Sequence, residues 1–401
     1  MGEAITLHFP EFVRVAGEVL QGHVDLNVAL AKEDKIEKLY IKFRGSIVTK
    51  ITETKREDNK TSTENHTQTV QLLRYDQTLW DQWNAPASLD SQVITCPFQL
   101  QLPPTLPPSF HYSGFHRTVA VSYSLEVVGD RAGLFHSNRR IRRMFSVVPG
   151  ASAWELSANA ALKQGWGGAW RSYAADEKLR HGIWGDYSHA SVELVLPDIP
   201  SLPMVTPIPF SLHVVTHTKP VHRSDLEDKH GKLFPAPPAD PAKVKLVLYR
   251  KGRMRVHHRS EPIEEKFDLA GSLGDAKVRT RADEPEWAHS EGHKEDKGVW
   301  KRAVHFDALL SLPFAPSFAA ETVEWNYSLR IEVPFPGIGN DLELEVPLRI
   351  DSGCACPPPP PPIGAPNANT NYANYPLPAG PPPMLTLPPA YWKGDDHDWD
   401  E

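Results

Sequence analysis

Cysteine is nearly missing: Cys96, Cys354 and Cys356 are the three thiols in a chain of 401 residues. So few cannot build a disulfide framework for a chain this long, and their scarcity points to a reducing compartment. Long apolar runs are lacking too, since no stretch of about 18 apolar residues is available to span a bilayer as a helix. The opening MGEAITLHFPEF alternates polar and apolar residues where a secretory leader would put a basic head and an apolar block. The expectation is a cytoplasmic protein with no transmembrane insertion. Basic excess is also absent. A formal net charge of −7 gives neither nucleic acid nor an anionic membrane a default attraction. Nor do the common catalytic signatures occur: there is no G-x-x-x-x-G-K, no nucleotide-binding glycine fingerprint, no H-E-x-x-H and no G-x-S-x-G. The chain therefore reads as a non-enzyme, with no catalytic residues, cofactor or metal site.

What is present is strand pattern. ITLHFPEFVRVAGEVLQGHVDLNVAL, KIEKLYIKFRGSIVTKITET, TCPFQLQLPP, TVAVSYSLEVVG and RRMFSVVP are rich in β-branched residues and mostly alternate in polarity with period two. Period two sets one face against a core and the other toward solvent, the pattern of antiparallel sandwiches. Helical periodicity finds one candidate, the stretch 155–180, and GWGG interrupts it.

The chain also repeats itself. An LP, then PSF at Pro108 to Phe110, then YSL at Tyr123 to Leu125 is followed roughly 200 residues later by LP, PSF at Pro316 to Phe318 and YSL at Tyr327 to Leu329. A lysine-bearing strand precedes each copy, KIEKLYIKFRGSIV in one and KVKLVLYRKGRMRV in the other, and opening strands VLQGHVDLNV and IPFSLHVVT come before those. This order implies two tandem immunoglobulin-like β-sandwiches, 1–150 and 190–352, joined by a Trp- and Gly-containing connector, 151–189. Charged insertions near 221–241 and 259–297 read as exposed loops. From 353 to 401 low hydrophobicity and dense proline preclude a packed core, so polyproline II and disorder are expected there.

The residues V.V.GEVLQGHVDL, KIEKLYIKFRG, PFQLQLPPTLPPSF and VSYSLEVV resemble an arrestin N-terminal domain. IPFSLHVV through FDALLSLPFAPSFAAETVEWNYSLRIEVPF is similar to an arrestin C-terminal domain, so the likeness covers about 350 of the 401 residues. With a proline-rich tail containing PPAY, the whole resembles the alpha-arrestins, most like fungal members. The resemblance implies a cytoplasmic adaptor, peripherally recruited to plasma membrane or endosomes. It would link membrane transporters or receptors to a WW-domain ubiquitin ligase of the HECT class and promote ubiquitination and endocytosis. Family members usually carry two or more PPxY motifs, whereas this chain has one, Pro388, Pro389 and Tyr391. The phosphate-sensing charge cluster of visual arrestins has no assignable counterpart. A second reading is an arrestin-fold coat or sorting scaffold that recruits no ligase.

The PPxY motif has a physical logic of its own. In polyproline II, Pro388 and Pro389 can insert between two aromatic rings while Tyr391 drops into the neighbouring pocket. Proline has already fixed φ, so little ordering entropy is lost on binding. The six-proline run at 357–362 reads as a stiff spacer, and the terminal DDHDWDE as a solvating acidic end in preference to a metal site at His397. Two basic stretches offer candidate anion or cargo sites, Arg139, Arg140, Arg142 and Arg143 in one, and Arg253 and Arg255 in the other. Each also fits the solvent face of a strand. Gly2 and Thr6 match an acylation pattern, but strand alternation from Ile5 argues that this segment enters a sheet. Cys354 and Cys356, with no histidine nearby, make a poor metal ligand set.

Overall fold

The computed structural model describes residues 3–10, 12–57, 60–84, 93–133, 137–180, 187–204, 206–223, 234–269, 278–289, 297–337 and 339–359. The first half runs β1 (Ile5–His8), β2 (Arg14–Val15), β3 (Val19–Asn27), the short helix α1 (Val28–Glu33), β4 (Ile36–Glu57), β5 (Lys60–Asp81), β6 (Val93–Gln101), β7 (Phe110–Gly114), β8 (Arg117–Arg131), β9 (Arg139–Phe145) and β10 (Val147–Val148). One sheet has the order β1-β3-β6; the other is β5-β4-β8-β7, with β9 also pairing β8. A short parallel pair, β2 with β10, closes one end. Strict alternation makes the core: Leu39, Ile41, Phe43, Ile47 and Ile51 of β4 are buried at every second position. Phe43 meets Phe98 of the facing sheet edge-on at 5.8 Å, and Tyr123 meets Phe145 at 6.1 Å. The first contact crosses between the two sheets of a sandwich, and the second joins neighbouring strands of one sheet, β8 and β9.

The helix α2 (Ala153–Gln164) follows. Its start is set by a capping box, in which Ser152 and Glu155 bond each other's backbone N–H. It stops at Gly165, whose φ of 94° lies in the left-handed region that glycine enters without a Cβ penalty. The second half then runs β11 (Trp170–Arg180), β12 (Tyr187–Pro197), β13 (Leu202–Pro203), β14 (Ile208–His217), β15 (Val221–His222), β16 (Lys245–Val256), β17 (Arg259–Asp268), β18 (Arg279–Ala282), β19 (Glu286–His289), β20 (Lys297–Leu310), β21 (Phe318–Ala319), β22 (Val323–Pro334), β23 (Asp341–Leu348) and β24 (Ile350–Asp351).

Strand order is the same in both halves. Where the first half has β1-β3-β6, the second has β12-β14-β20; where the first has β5-β4-β8-β7 with β9 on β8, the second has β17-β16-β22-β21 with β23 on β22. The parallel pair recurs as β13 with β24. Additions in the second half are β11 outside β12, and β15, β18 and β19 on β20.

The repeated sequence motifs occupy equivalent positions and do equivalent work. Ser109 donates its N–H to Val147 O at 2.8 Å and accepts the Val147 N–H on Oγ at 2.9 Å. Ser317 donates to Ile350 O at 2.8 Å and accepts from Ile350 N at 3.1 Å. The tyrosines match as well: Tyr123 donates its hydroxyl to Pro107 O at 2.7 Å and Tyr327 to Ala315 O at 2.8 Å. Each PSF thus clamps the last strand of its half, and each YSL tyrosine ties down the chain just before PSF.

Two sequence expectations differ in detail. The 151–189 connector contains α2 and β11, and β11 pairs with β12 along its whole length and so belongs to the second half's sheet. The 259–297 stretch, read as an exposed loop, contains β17, β18 and β19. Burial explains the misreading: Ile263 is the one buried residue of β17, and β18 is exposed throughout, so neither shows an apolar face. Among the described residues, no helix is long and apolar enough to cross a membrane.

Candidate functional site

Pro388, Pro389, Tyr391 and His397 lie outside the described residues. The basic stretches lie within them. Arg139, Arg140, Arg142 and Arg143 belong to β9, where the pattern leaves Arg139, Arg140 and Arg143 exposed and Arg142 half-buried. Arg139 binds Asp34 through two nitrogens at 3.2 and 3.4 Å, and Arg140 binds Glu126 at 3.2 Å. Arg142 lies opposite that same Glu126 in the strand register. Acidic neighbours therefore offset part of this strand's charge.

Arg253 and Arg255 stand exposed on one face of β16, two residues apart. The structure does not bring the two basic stretches together. Arg255 donates its backbone N–H to Thr322 O at 2.8 Å, at the junction of the halves. β9 instead pairs with β8 at Tyr123 to Gly129, away from the end where Thr49, itself at the junction, pairs with Val119. Ten residues of strand at about 3.3 Å each put Gly129 about 30 Å from that point.

Within β16 the strand separates Arg250 from the exposed Arg253 and Arg255. Arg250 is buried at 8% exposure, its guanidinium 4.9 Å from the ring centroids of Phe110 and Trp325 and 5.1 Å from that of Phe267. Glu265 accepts from its Nε at 2.7 Å. A cation among three rings and one carboxylate is held by ring quadrupoles as well as by the ion pair. Phe110 comes from the first half; the other partners come from the second.

Around that centre the halves are joined by aromatic and polar contacts. Phe110 packs edge-on against Trp325 at 4.6 Å and Phe318 at 5.4 Å, while Tyr112 lies 5.6 Å from Trp325. Buried between them, Thr49 donates its hydroxyl to Thr322 Oγ1 at 2.9 Å. At the rim Arg117 bonds Glu261 at 2.8 Å and Pro262 O at 2.7 Å. Arg259 bonds Glu53 at 2.6 Å, and Gln68 accepts the His257 N–H at 2.6 Å. Burial pushes the Tyr327 hydroxyl beside this cluster well above its ordinary pKa, so it remains a donor to Ala315.

A second strap lies at α2. Thr206 donates to Asn159 Oδ1 at 2.5 Å, Asn159 donates to Gly353 O at 3.1 Å, and Ser201 donates to Glu155 at 3.0 Å. Ala151 N–H reaches Cys354 O at 2.8 Å. The segment leaving the second half therefore returns to the end of the first. Burial, with Asp351 adding to it, pushes the Cys354 thiol up to about 11.

Two groups of side chains among the described residues could hold a metal ion: His8, His23 and Asp25, and Glu53, Glu64 and His66. In the second group Glu53 already carries the Arg259 guanidinium. A shallow cavity of about 350 Å³ beside Arg171, Tyr173 and Arg349 lies on the second half. The boundary contacts are non-local and left no local signal in the sequence; Arg250 differs from its neighbours there in no respect that composition can reveal.

Residues 4–152 match the family model of Arrestin (or S-antigen), N-terminal domain. No curated protein matches the chain.

Proposed function

We propose that this arrestin-domain-containing protein is an adaptor whose two sandwiches bind a cytoplasmic segment of a membrane transporter or receptor while its tail recruits a WW-domain HECT ubiquitin ligase. What supports the trafficking-adaptor reading is the arrestin domain at 4–152 within a body whose second half repeats the strand order of the first. Ligase recruitment rests on Pro388, Pro389 and Tyr391 in the proline-rich tail that follows this body. Two modest contacts in one molecule raise the concentration of ligase at cargo, so neither has to be tight. The ligase supplies the covalent chemistry, and the adaptor supplies proximity. Exposed Arg253 and Arg255 are candidates for an acidic or phosphorylated cargo segment, with Glu324 opposite Arg253 in the register as Glu126 is opposite Arg142.

The test is a pull-down of the full chain by isolated WW domains. Binding is expected for the wild type and lost in Tyr391→Ala. Full retention in the variant overturns the ligase-recruiting reading. Cofractionation with a coat assembly, with no WW binding by the wild type, would favour the scaffold alternative.

A further inference from the structure

We propose that His8, His23 and Asp25 form a Zn²⁺ site that staples the first strand to the sheet. Antiparallel pairing of β1 with β3 puts His8 opposite His23 and Thr6 opposite Asp25. With period two, Ile5, Val24 and Leu26 face the core, which leaves His8, His23 and Asp25 together on the outer face of the sheet. The site is built by register. Residues 8 and 23 are far apart in sequence but locked side by side by a ladder that the buried residues hold in phase.

The three ligand atoms all lie within 4.8 Å of one another. Donors at 2.0 to 2.2 Å from a tetrahedral zinc are separated by about 3.3 Å, so rotations of side chains on a fixed backbone close the set. His8 Nε2 is already 3.0 Å from Asp25 Oδ2. The imidazoles of His8 and His23 stack at 4.4 Å, 17° from parallel, so both rings lie side by side on the same face.

Asp25 is oriented from its other side. Thr95 of β6, its register partner, donates its hydroxyl to Asp25 Oδ1 at 2.7 Å. Such an outer hydrogen bond leaves one carboxylate oxygen directed at the metal position and the other occupied. Two imidazoles and one carboxylate match the three-ligand sets of borderline divalent cations, with a further coordination position open to solvent. The alternative group at Glu53, Glu64 and His66 lacks this freedom, because Arg259 is its resident cation.

The experiment is calorimetric titration of Zn²⁺ into the full chain after chelator treatment. One strong equivalent is expected for the wild type, with a melting temperature that rises with free zinc. His8→Ala/His23→Ala should abolish it, and Thr95→Val should weaken it about 10-fold by freeing the carboxylate. His397→Ala, which alters the tail histidine, should leave it unchanged. Undiminished binding in the double variant, or none in the wild type, overturns the proposal. Should a variant misfold, Co²⁺ bound to the wild type decides: two paramagnetically shifted imidazole N–H resonances are expected, and none overturns it.

Discussion

Thr49 and Thr322, 273 residues apart, share a hydrogen bond of 2.9 Å in the buried seam between the two sandwiches. Thr49 sits in β4 at a position where alternation otherwise places Ile47 and Ile51, so its hydroxyl has given up water and depends on that one partner. Thr322→Val should cost about 2 kcal/mol, because it leaves a buried hydroxyl unpaired. The double change Thr49→Val/Thr322→Val should recover much of that loss. A double-mutant cycle in urea checks it, and additive losses would count against the coupling.

The tyrosines of the repeated YSL give a paired test of the duplication. Tyr123→Phe and Tyr327→Phe each remove one hydroxyl donor from a carbonyl, Pro107 O and Ala315 O. Each should destabilise by about 1 kcal/mol, and by similar amounts, since ring packing is kept. Hydrogen exchange of the Ser109 and Ser317 amides, which bond Val147 O and Ile350 O, reads the local effect in each half. A loss in one half alone would mean that the equivalent positions do different work.

What the sequence disclosed, and what it hid, follows from the range of the contacts. β4 and β14 were legible because alternate residues are buried along much or all of their length. PSF and YSL were legible because the clamp needs a serine and a tyrosine at fixed places on the strands. β5 went unread, since Leu73 and Trp80 are the buried side chains in a long polar strand held by its pairing with β4. β11 was taken for connector for the same reason: Leu179 is its one buried residue. Phe110 beside Trp325, Arg250 among three rings, and His8 opposite His23 exist through register and docking, which no local window contains.

Arg14 and Glu18 supply a test of a buried ion pair. Their side chains are 5% and 3% exposed and lie 3.4 Å apart, with the guanidinium 3.8 Å from the Phe12 ring centroid and 4.5 Å from that of Phe9. Burial raises the Glu18 pKa and lowers that of Arg14, so desolvation outweighs their attraction. Glu18→Gln should cost about 3 kcal/mol by leaving the cation without a counter-charge, while Arg14→Leu/Glu18→Leu should cost less. Urea midpoints of the three proteins decide it; a double variant worse than the single would show that the pair itself stabilises the fold.

Acid should act at Glu345. Hydrogen bonds from Lys251 and Ser328, with a further one from Arg330, hold this carboxyl at about 2 against its ordinary 4.5. Because the folded pKa is depressed, the contribution is complete above the unfolded value and is lost as pH falls from 4.5 toward 2. Glu345 is exposed, so water screens the pair and the effect is a fraction of what the shift alone implies. Glu345→Gln should therefore lower stability slightly at neutral pH and flatten the acid limb of the stability profile. Urea midpoints measured at steps through that range test this. If the variant lost stability with the same slope as the wild type, Glu345 would not be the group that titrates there.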